Sequence, residues 1–230
     1  MRYQQSYRSL FTSPHWPTTL LAGSLSMLAP PFGPGLFAGY LHEVAETAAQ
    51  PNATPPAFDM GRVGEYLNRG LRGTLVRLLF FTPALVLLGL LCAAVMMNTN
   101  PLKGPTVSGK LLTTAALAAI LVVGALVSWL LAPLTIYLSQ RTQPMPPSVV
   151  TFIFDFFRVA GKEAMLAQMF VGVTGLCLVV VGLLMCGFGV PTALALTGYS
   201  QYHLLGQLHQ LYLERCQTAA APAEAAPAAA

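Results

Sequence analysis

Apolar residues in this chain occur in long uninterrupted runs, and this pattern predicts membrane-spanning helices. The clearest run covers residues 74–97, and Arg77 near its start is its one charged residue. At about 1.5 Å per residue the run is long enough to cross about 30 Å of hydrocarbon. Three further runs, at residues 111–131, 164–186 and 191–212, have similar lengths. The pattern therefore predicts four full spans.

An amphipathic segment, residues 58–73, leads directly into the first span. Four of its charged residues recur at steps of three and four, which places them on one helical face: Arg62, Glu65, Arg69 and Arg72. Apolar side chains lie largely opposite. We expect this segment to form a helix that lies on the membrane surface.

A second amphipathic segment precedes the span at residues 164–186. Asp155, Arg158 and Lys162 share a helical face in a stretch that is rich in phenylalanine. A second interfacial helix is therefore predicted.

The two segments also resemble each other in sequence. Residues 154–159 echo residues 58–63, and each copy follows a Pro-Pro pair and precedes two spans. One interpretation is an internal duplication, with repeat units at residues 58–138 and 148–213 related by an axis along the membrane normal. Chance similarity is the other interpretation.

The first apolar segment, residues 18–41, is broken near its centre. Four neighbouring residues there disfavour a helix: Pro30, Pro31, Gly33 and Pro34. The segment is either one kinked span or a re-entrant hairpin of two half-helices. A re-entrant segment puts ten of the 12 Lys and Arg residues on one side of the membrane, against eight for a full crossing. The positive-inside rule therefore favours re-entry, with both termini in the cytoplasm.

The ends of the chain differ from its centre. Residues 1–17 are polar and aromatic and predict an interfacial arm, because Trp and Tyr favour the headgroup region. Residues 18–216 form the predicted transmembrane domain. Residues 217–230, rich in Ala and Pro, predict a disordered tail.

Composition agrees with a polytopic integral membrane protein. Hydrophobic residues make up 55% of the chain and charged residues 9%, whereas soluble domains are about a quarter charged. The net charge of +4 comes from basic residues spread singly between apolar runs, which excludes the basic stripe of a nucleic-acid-binding protein. The predicted class is an all-α transmembrane helical bundle.

Several short motifs occur along the chain in a recognisable order. They are Gly39-Tyr40-Leu41, Pro56-Ala57-Phe58-Asp59, Gly70-Leu71 and His203-Leu204-Leu205-Gly206-Gln207. Together they resemble the prokaryotic family known as domain of unknown function 4013, over roughly Arg8 to Arg215. The resemblance implies a multi-span protein of a bacterial or archaeal cytoplasmic membrane. It implies no assigned activity and supplies no catalytic residue.

Candidate chemistry is sparse, because the predicted spans contain almost no acidic residues, and the motifs of common enzyme classes are absent. We therefore expect no catalytic residue, cofactor or metal. His203 and Gln207, four residues apart, either line a polar cavity, bind a metal with His42 and Glu46, or form hydrogen bonds between helices, and we favour the last.

The pairs Asp59/Arg62 and Asp155/Arg158 are expected to orient surface helices. Gly35 and Gly39 form a GxxxG spacing, which lets helices approach closely, either within the chain or between subunits.

The predicted function is a non-enzymatic structural or assembly component of a membrane complex. Its partners would be the lipid bilayer and other membrane subunits or further copies of itself. The alternative is a small transporter or channel whose broken first segment lines the path. The positions singled out for function or packing are Pro30, Pro31, Gly33, Gly35, Gly39, Asp59, Arg62, Asp155, Arg158, His203 and Gln207.

Overall fold

The computed structural model describes residues 3–29, 32–50, 54–75, 126–139, 148–185, 187 and 189–224, and isolated positions at 79, 82, 86, 89, 123 and 124. Every regular element in these residues is helical, which confirms the all-α class. Leu75–Leu131 forms one compact unit. Most of that unit, including most of the predicted spans at 74–97 and 111–131, lies outside the described residues.

Seven helices are described. In chain order they are α1 (Tyr3–Thr12), α2 (Trp16–Leu28), α3 (Phe32–Ala48), α4 (63–75), α5 (Leu126–Ser139), α6 (Val149–Leu184) and α7 (Gly189–Glu224). A short 3₁₀ turn, Met60–Arg62, leads into α4. The second compact unit, Met1–Thr74 with Ala132–Ala230, contains all of them except the first part of α5 and the last residue of α4.

The broken first segment folds back on itself. A Cβ atom added to Gly33 would overlap the carbonyl oxygen of Ser26, and one added to Gly23 would lie 2.7 Å from Phe37 Cζ. These pairs can meet only if α2 and α3 run antiparallel. The segment is therefore a helical hairpin, and the kinked single span is excluded. At 13 and 17 residues, its helices are only about 20 and 26 Å long.

Helices α6 and α7 form a longer antiparallel hairpin. The side-chain amides of Gln168 and Gln201 lie 3.4 Å apart, and nearer the turn a Cβ added to Gly182 would lie 2.7 Å from the carbonyl carbon of Gly189. Gly187 makes the turn with a φ of +80°, a conformation that favours glycine. Its N–H donates to the carbonyl of Leu183.

Helix α6 differs from the sequence prediction in being continuous. The hydroxyl of Ser148 caps its first turn, and 36 residues follow without a break, a length of about 54 Å. The predicted interfacial helix is therefore the first part of α6. Phe152 and Phe156 of this part are buried against Tyr212 of α7, whereas Phe154 is exposed.

By length and composition, α6 is the one helix in the described part of the chain that could cross a membrane. Of the four predicted spans, the one at residues 164–186 lies largely in α6, and the one at residues 191–212 lies in α7, which is not apolar enough to be such a candidate. The predicted spans at residues 74–97 and 111–131 fall mostly outside the described residues. Only 28% of the most apolar stretch of α6 is buried within the chain. A continuous row of exposed apolar side chains remains along this helix.

The core lies where α3 packs against α7. Tyr40, Leu41 and Ala45 of α3 are buried with Tyr199 and Tyr202 of α7. The two helices approach closely near Gly206, where an added Cβ would overlap the carbonyl oxygen of Ala45. The buried helix of the first hairpin therefore depends on α7 for its packing.

Helix α1 is docked on the α6–α7 hairpin. The hydroxyl groups of Ser6 and Ser200 lie 2.7 Å apart, as do those of Tyr7 and Thr174. Leu10 reaches into the core between α3 and α7. The predicted interfacial arm is thus a packed helix.

Two further predictions differ from the structure. Residues 58–63 begin in an extended segment and enter the 3₁₀ turn, whereas residues 154–159 lie inside α6, so the two similar hexapeptides are not structurally equivalent. Helix α7 also continues to Glu224 through part of the predicted disordered tail, in keeping with the high helix propensity of alanine. Residues 225–230 lie outside the described residues.

Candidate functional site

The last two turns of α3 carry an acidic face that meets two basic residues, Arg62 in the 3₁₀ turn that leads into α4 and Arg69 in α4. Glu43 and Glu46 are three residues apart and therefore share this face. Glu43 Oε1 lies 2.8 Å from Arg62 Nη1, and Glu46 Oε2 lies 2.8 Å from Arg69 Nη2. Two ion pairs thus fix α4 along α3.

The pair between Arg69 and Glu46 is buried, with side-chain exposures of 7% and 13%. Removing two charges from water is costly and requires further hydrogen bonds. Arg69 Nη2 makes one of these to the carbonyl oxygen of Ser139 in α5. One guanidinium therefore links α3, α4 and α5. Arg69 was predicted to share one charged helical face with Arg62, Glu65 and Arg72, and it is the buried residue of this group.

The pair between Arg62 and Glu43 is more open. Arg62 also donates from Nε to Glu65 and lies over the ring of Tyr66, 5.2 Å from its centroid. The hydrogen bonds to Glu65 and Glu43 raise the pKa of Arg62 above its ordinary value. The guanidinium thus stays charged throughout the physiological range.

The side chains of Asp59 and Arg62 do not form the predicted pair. Asp59 instead caps the 3₁₀ turn by accepting a hydrogen bond from the N–H of Gly61 at 2.8 Å. In α6, Asp155 and Arg158 are both exposed and form no ion pair with each other.

Glycines allow the backbones of α3 and α4 to touch. A Cβ added to Gly70 would overlap the carbonyl oxygen of Gly35, and one added to Gly39 would overlap that of Tyr66. The GxxxG spacing of α3 is thus used within the chain. Gly33 packs against α2, and Pro30 and Pro31 lie outside the described residues.

An aromatic cluster packs beside this contact between α3 and α4. The hydroxyl of Tyr40 donates to the carbonyl of Pro56 at 2.9 Å, and its ring centroid lies 5.4 Å from that of Phe58 and 5.9 Å from that of Tyr66. Burial raises the pKa of Tyr66. The linker before α4 is therefore tied to the middle of α3.

A polar cleft of about 1460 Å³ lies beside the linker that precedes α4. Helix α1, the turn after it, the linker before α4, and one residue each from α6 and α7 line the cleft. The lining residues include Gln4, Arg8, His15, Phe170 and His203.

His203 is the predicted site residue that reaches this cleft. Its Nδ1 lies 3.2 Å from Gln207 Nε2, so the predicted pair forms within α7. The proposed metal partners are elsewhere, since Glu46 binds Arg69 and the ring of His42 packs edge-on against Tyr202 at 5.1 Å. In the described ranges, no three His, Cys, Asp or Glu side chains are arranged to hold a metal ion.

A family model described as a protein of unknown function, DUF4013, matches residues 22–145. The chain belongs to the DUF4013 family. The match includes most of the α2–α3 hairpin, the linker, α4 and α5, and so contains both ion pairs and the glycine contact. The His203 to Gln207 motif lies outside this match, which is shorter than the resemblance suggested. No curated protein and no solved structure matches the chain.

The short motifs that suggested DUF4013 have a physical role in common. Gly39 and Gly70 form the backbone contact, Tyr40 binds the linker at Pro56, and Gly206 packs on α3. All of them position α3 against its neighbours. They describe how this DUF4013 chain packs, and they mark no reactive group.

Sequence reasoning missed Glu46 as the partner of Arg69, and Arg8 as a cleft residue. A signal for the first was present, because Glu43 and Glu46 share one helical face, and Arg62 and Arg69, seven residues apart, share another. Nothing in the sequence brings α1 to α7, so Arg8 could not have been found.

Proposed function

We propose that this DUF4013 chain is an integral membrane protein that acts as a non-enzymatic assembly component of a larger membrane complex. The observation that carries this proposal is the exposed apolar row along α6. It includes Met169, Val173, Leu176, Val180 and Leu184, whose exposed fractions range from 48% to 80%.

The length of this row fits a bilayer. Exposed apolar residues run from Met165 to Met185, a distance of about 30 Å along the helix. A continuous apolar surface of this kind is stable only when it is covered by lipid or by other apolar helices. Assembly with partner helices would cover part of it.

The rival proposal is a small transporter with the α2–α3 hairpin lining its path. Neighbouring backbone and side chains occupy the space beside three glycines near the break and along α3, namely Gly33, Gly35 and Gly39. The polar cleft lies by His15, at the opposite end of α2 from the break. These contacts favour a packing role for the hairpin.

Site-specific photo-crosslinking tests the proposal. We would place a photoreactive side chain at Val173, in the exposed apolar row, and at Lys162, an exposed polar position on the same helix, as the matched control. The proposal expects a discrete protein adduct from Val173 in native membranes and none from Lys162. Native mass spectrometry of the gently extracted protein would identify the partner.

Adducts at Val173 to lipid alone, with a monomer in native mass spectrometry, would contradict the assembly proposal. Flux measurements in liposomes would then test the rival. Under the transport proposal, substitution of Gly33, Gly35 and His203 should abolish flux, whereas unchanged flux would count against it.

A further inference from the structure

The two sides of α1 are chemically different, because one is buried against the protein and the other is exposed. Ser6 and Leu10 are buried against α7 and the core. Gln4, Arg8 and Thr12, spaced four residues apart, are exposed on the opposite face and line the polar cleft. The fold thus holds one polar face of α1 toward a concave space.

Arg8 is the fixed positive charge of the cleft. It forms no hydrogen bond or ion pair with any residue that the structure describes, whereas Arg62, Arg69 and Arg215 all bind carboxylates. None of the described residues that line the cleft is acidic. The electrostatic character of this space is therefore that of an anion site.

The other lining groups suit the same kind of ligand. Gln4 contributes an amide, and His15 and His203 contribute imidazoles from either side. A guanidinium recognises phosphate oxygens through paired N–H donors, and such charge-assisted hydrogen bonds are stronger than neutral ones. Gln4 lies one helical turn before Arg8, so its amide can donate to a phosphate group beside Arg8.

An apolar surface adjoins the cleft at Phe170. Leu166 and Val173 lie one turn before and after Phe170 on α6 and are 49% and 64% exposed. The cleft volume of about 1460 Å³ exceeds the roughly 300–1,000 Å³ of common small-ligand pockets. There is space for a polar headgroup, with an adjacent surface for acyl chains.

We propose that this cleft binds the phosphate group of an anionic ligand, with Arg8 as its cationic contact. A membrane phospholipid and a soluble phosphate compound share this chemistry, and the experiment distinguishes them. The Arg8 contact is separate from the exposed row of α6 on which the assembly proposal rests, whereas the apolar surface beside the cleft shares Val173 with that row.

The test uses the full-length protein in phosphatidylcholine nanodiscs that contain a minor fraction of phosphatidylglycerol. Native mass spectrometry would measure how many molecules of each lipid stay bound. We expect wild type to retain phosphatidylglycerol preferentially and Arg8→Gln to lose about fivefold in this preference, the effect of one basic residue near an anionic headgroup. Arg158→Gln, which removes an exposed charge from α6 away from the cleft, is the matched control and should bind as wild type.

A second variant distinguishes loss of the binding site from misfolding of Arg8→Gln. Gln4→Glu keeps Arg8 and adds a negative charge to the same exposed face, so it should also lower phosphatidylglycerol retention. Competition with inorganic phosphate forms the other arm. Phosphate binding by wild type but not by Arg8→Gln, without preference for phosphatidylglycerol, would identify a soluble phosphate compound. Equal binding of both ligands by wild type, Arg8→Gln and Gln4→Glu would overturn the proposal, as would equal losses in Arg8→Gln and Arg158→Gln.

Discussion

Arg69 lies at the meeting point of three helices, and its surroundings explain why this position needs arginine. Its guanidinium reaches Glu46 on α3 and the carbonyl of Ser139 on α5 from a buried position. A buried pair of this kind adds little net stability compared with apolar residues, but loss of one partner leaves an uncompensated charge. The residue therefore determines how α4 is placed.

Replacement of Arg69 by methionine should remove the buried cation that pairs with the carboxylate of Glu46. We expect the free energy of unfolding to fall by about 3–5 kcal/mol, measured by thermal or denaturant unfolding in mild detergent. The double variant Arg69→Met/Glu46→Gln should recover part of this loss. Arg72→Met, at an exposed position on the same helix, is the control and should stay within about 0.5 kcal/mol of wild type.

The glycine contact between α3 and α4 gives a second prediction at this scale. Gly70→Ala places a methyl group on the carbonyl oxygen of Gly35, so the helices must separate, at a cost of about 1–3 kcal/mol. Gly64→Ala, on α4 with open space around it, should instead stabilise by up to about 1 kcal/mol. Similar melting temperatures for the two variants would contradict the described contact.

At the scale of elements, the chain is built from two antiparallel hairpins, α2–α3 and α6–α7. The sequence indicated the break in the first hairpin, because proline is tolerated in the first turn of a helix but not in its interior, and Pro34 lies in the first turn of α3. It did not indicate that α6 is continuous. The charged residues Lys162 and Glu163 suggested a boundary, yet both fit an uninterrupted helix, and Glu163 binds Arg215 of α7 at 2.5 Å.

The close approach of α6 and α7 near their turn can be tested with a matched pair of glycines. Gly182→Ala would bring a methyl group to 2.7 Å from the backbone of Gly189 and should destabilise the protein by about 1–3 kcal/mol. Gly172→Ala lies ten residues earlier on the same helix, with no atom within 4 Å. It should be neutral or stabilising. Equal effects on the melting temperature would indicate that the turn does not pack as described.

At the scale of the whole molecule, the sequence predicted the class of fold better than it predicted the contacts between helices. Long apolar runs indicate helices directly, because their length and composition can be read from neighbouring residues. Contacts such as that of Ser6 with Ser200 join residues 194 positions apart and leave no local pattern. For the same reason the pairing of His203 with Gln207 was predictable from spacing, while the cleft that His203 shares with Arg8 was not.

Insertion of α6 into a bilayer predicts unequal reactivity along this helix. Cys177 is exposed in the apolar row of α6. It can be labelled alone in a background in which Cys92, Cys186 and Cys216 are replaced by serine. We expect it to react slowly with a membrane-impermeant maleimide in proteoliposomes, because hydrocarbon excludes the reagent. Lys162→Cys, in the same background with Cys177→Ser, should react quickly. Equal rates in proteoliposomes would contradict insertion.

The packing of α3 on α7 also has a consequence for how the protein is made. During translation the α2–α3 hairpin leaves the ribosome long before α7, since Ser24 on α2 meets Thr192 on α7 across 168 residues. Its helices are shorter than a bilayer is thick, and its inner face is completed only by α7. In the nascent chain, the side of the hairpin that faces α7 therefore stays without this packing until nearly all of the intervening chain has been synthesised.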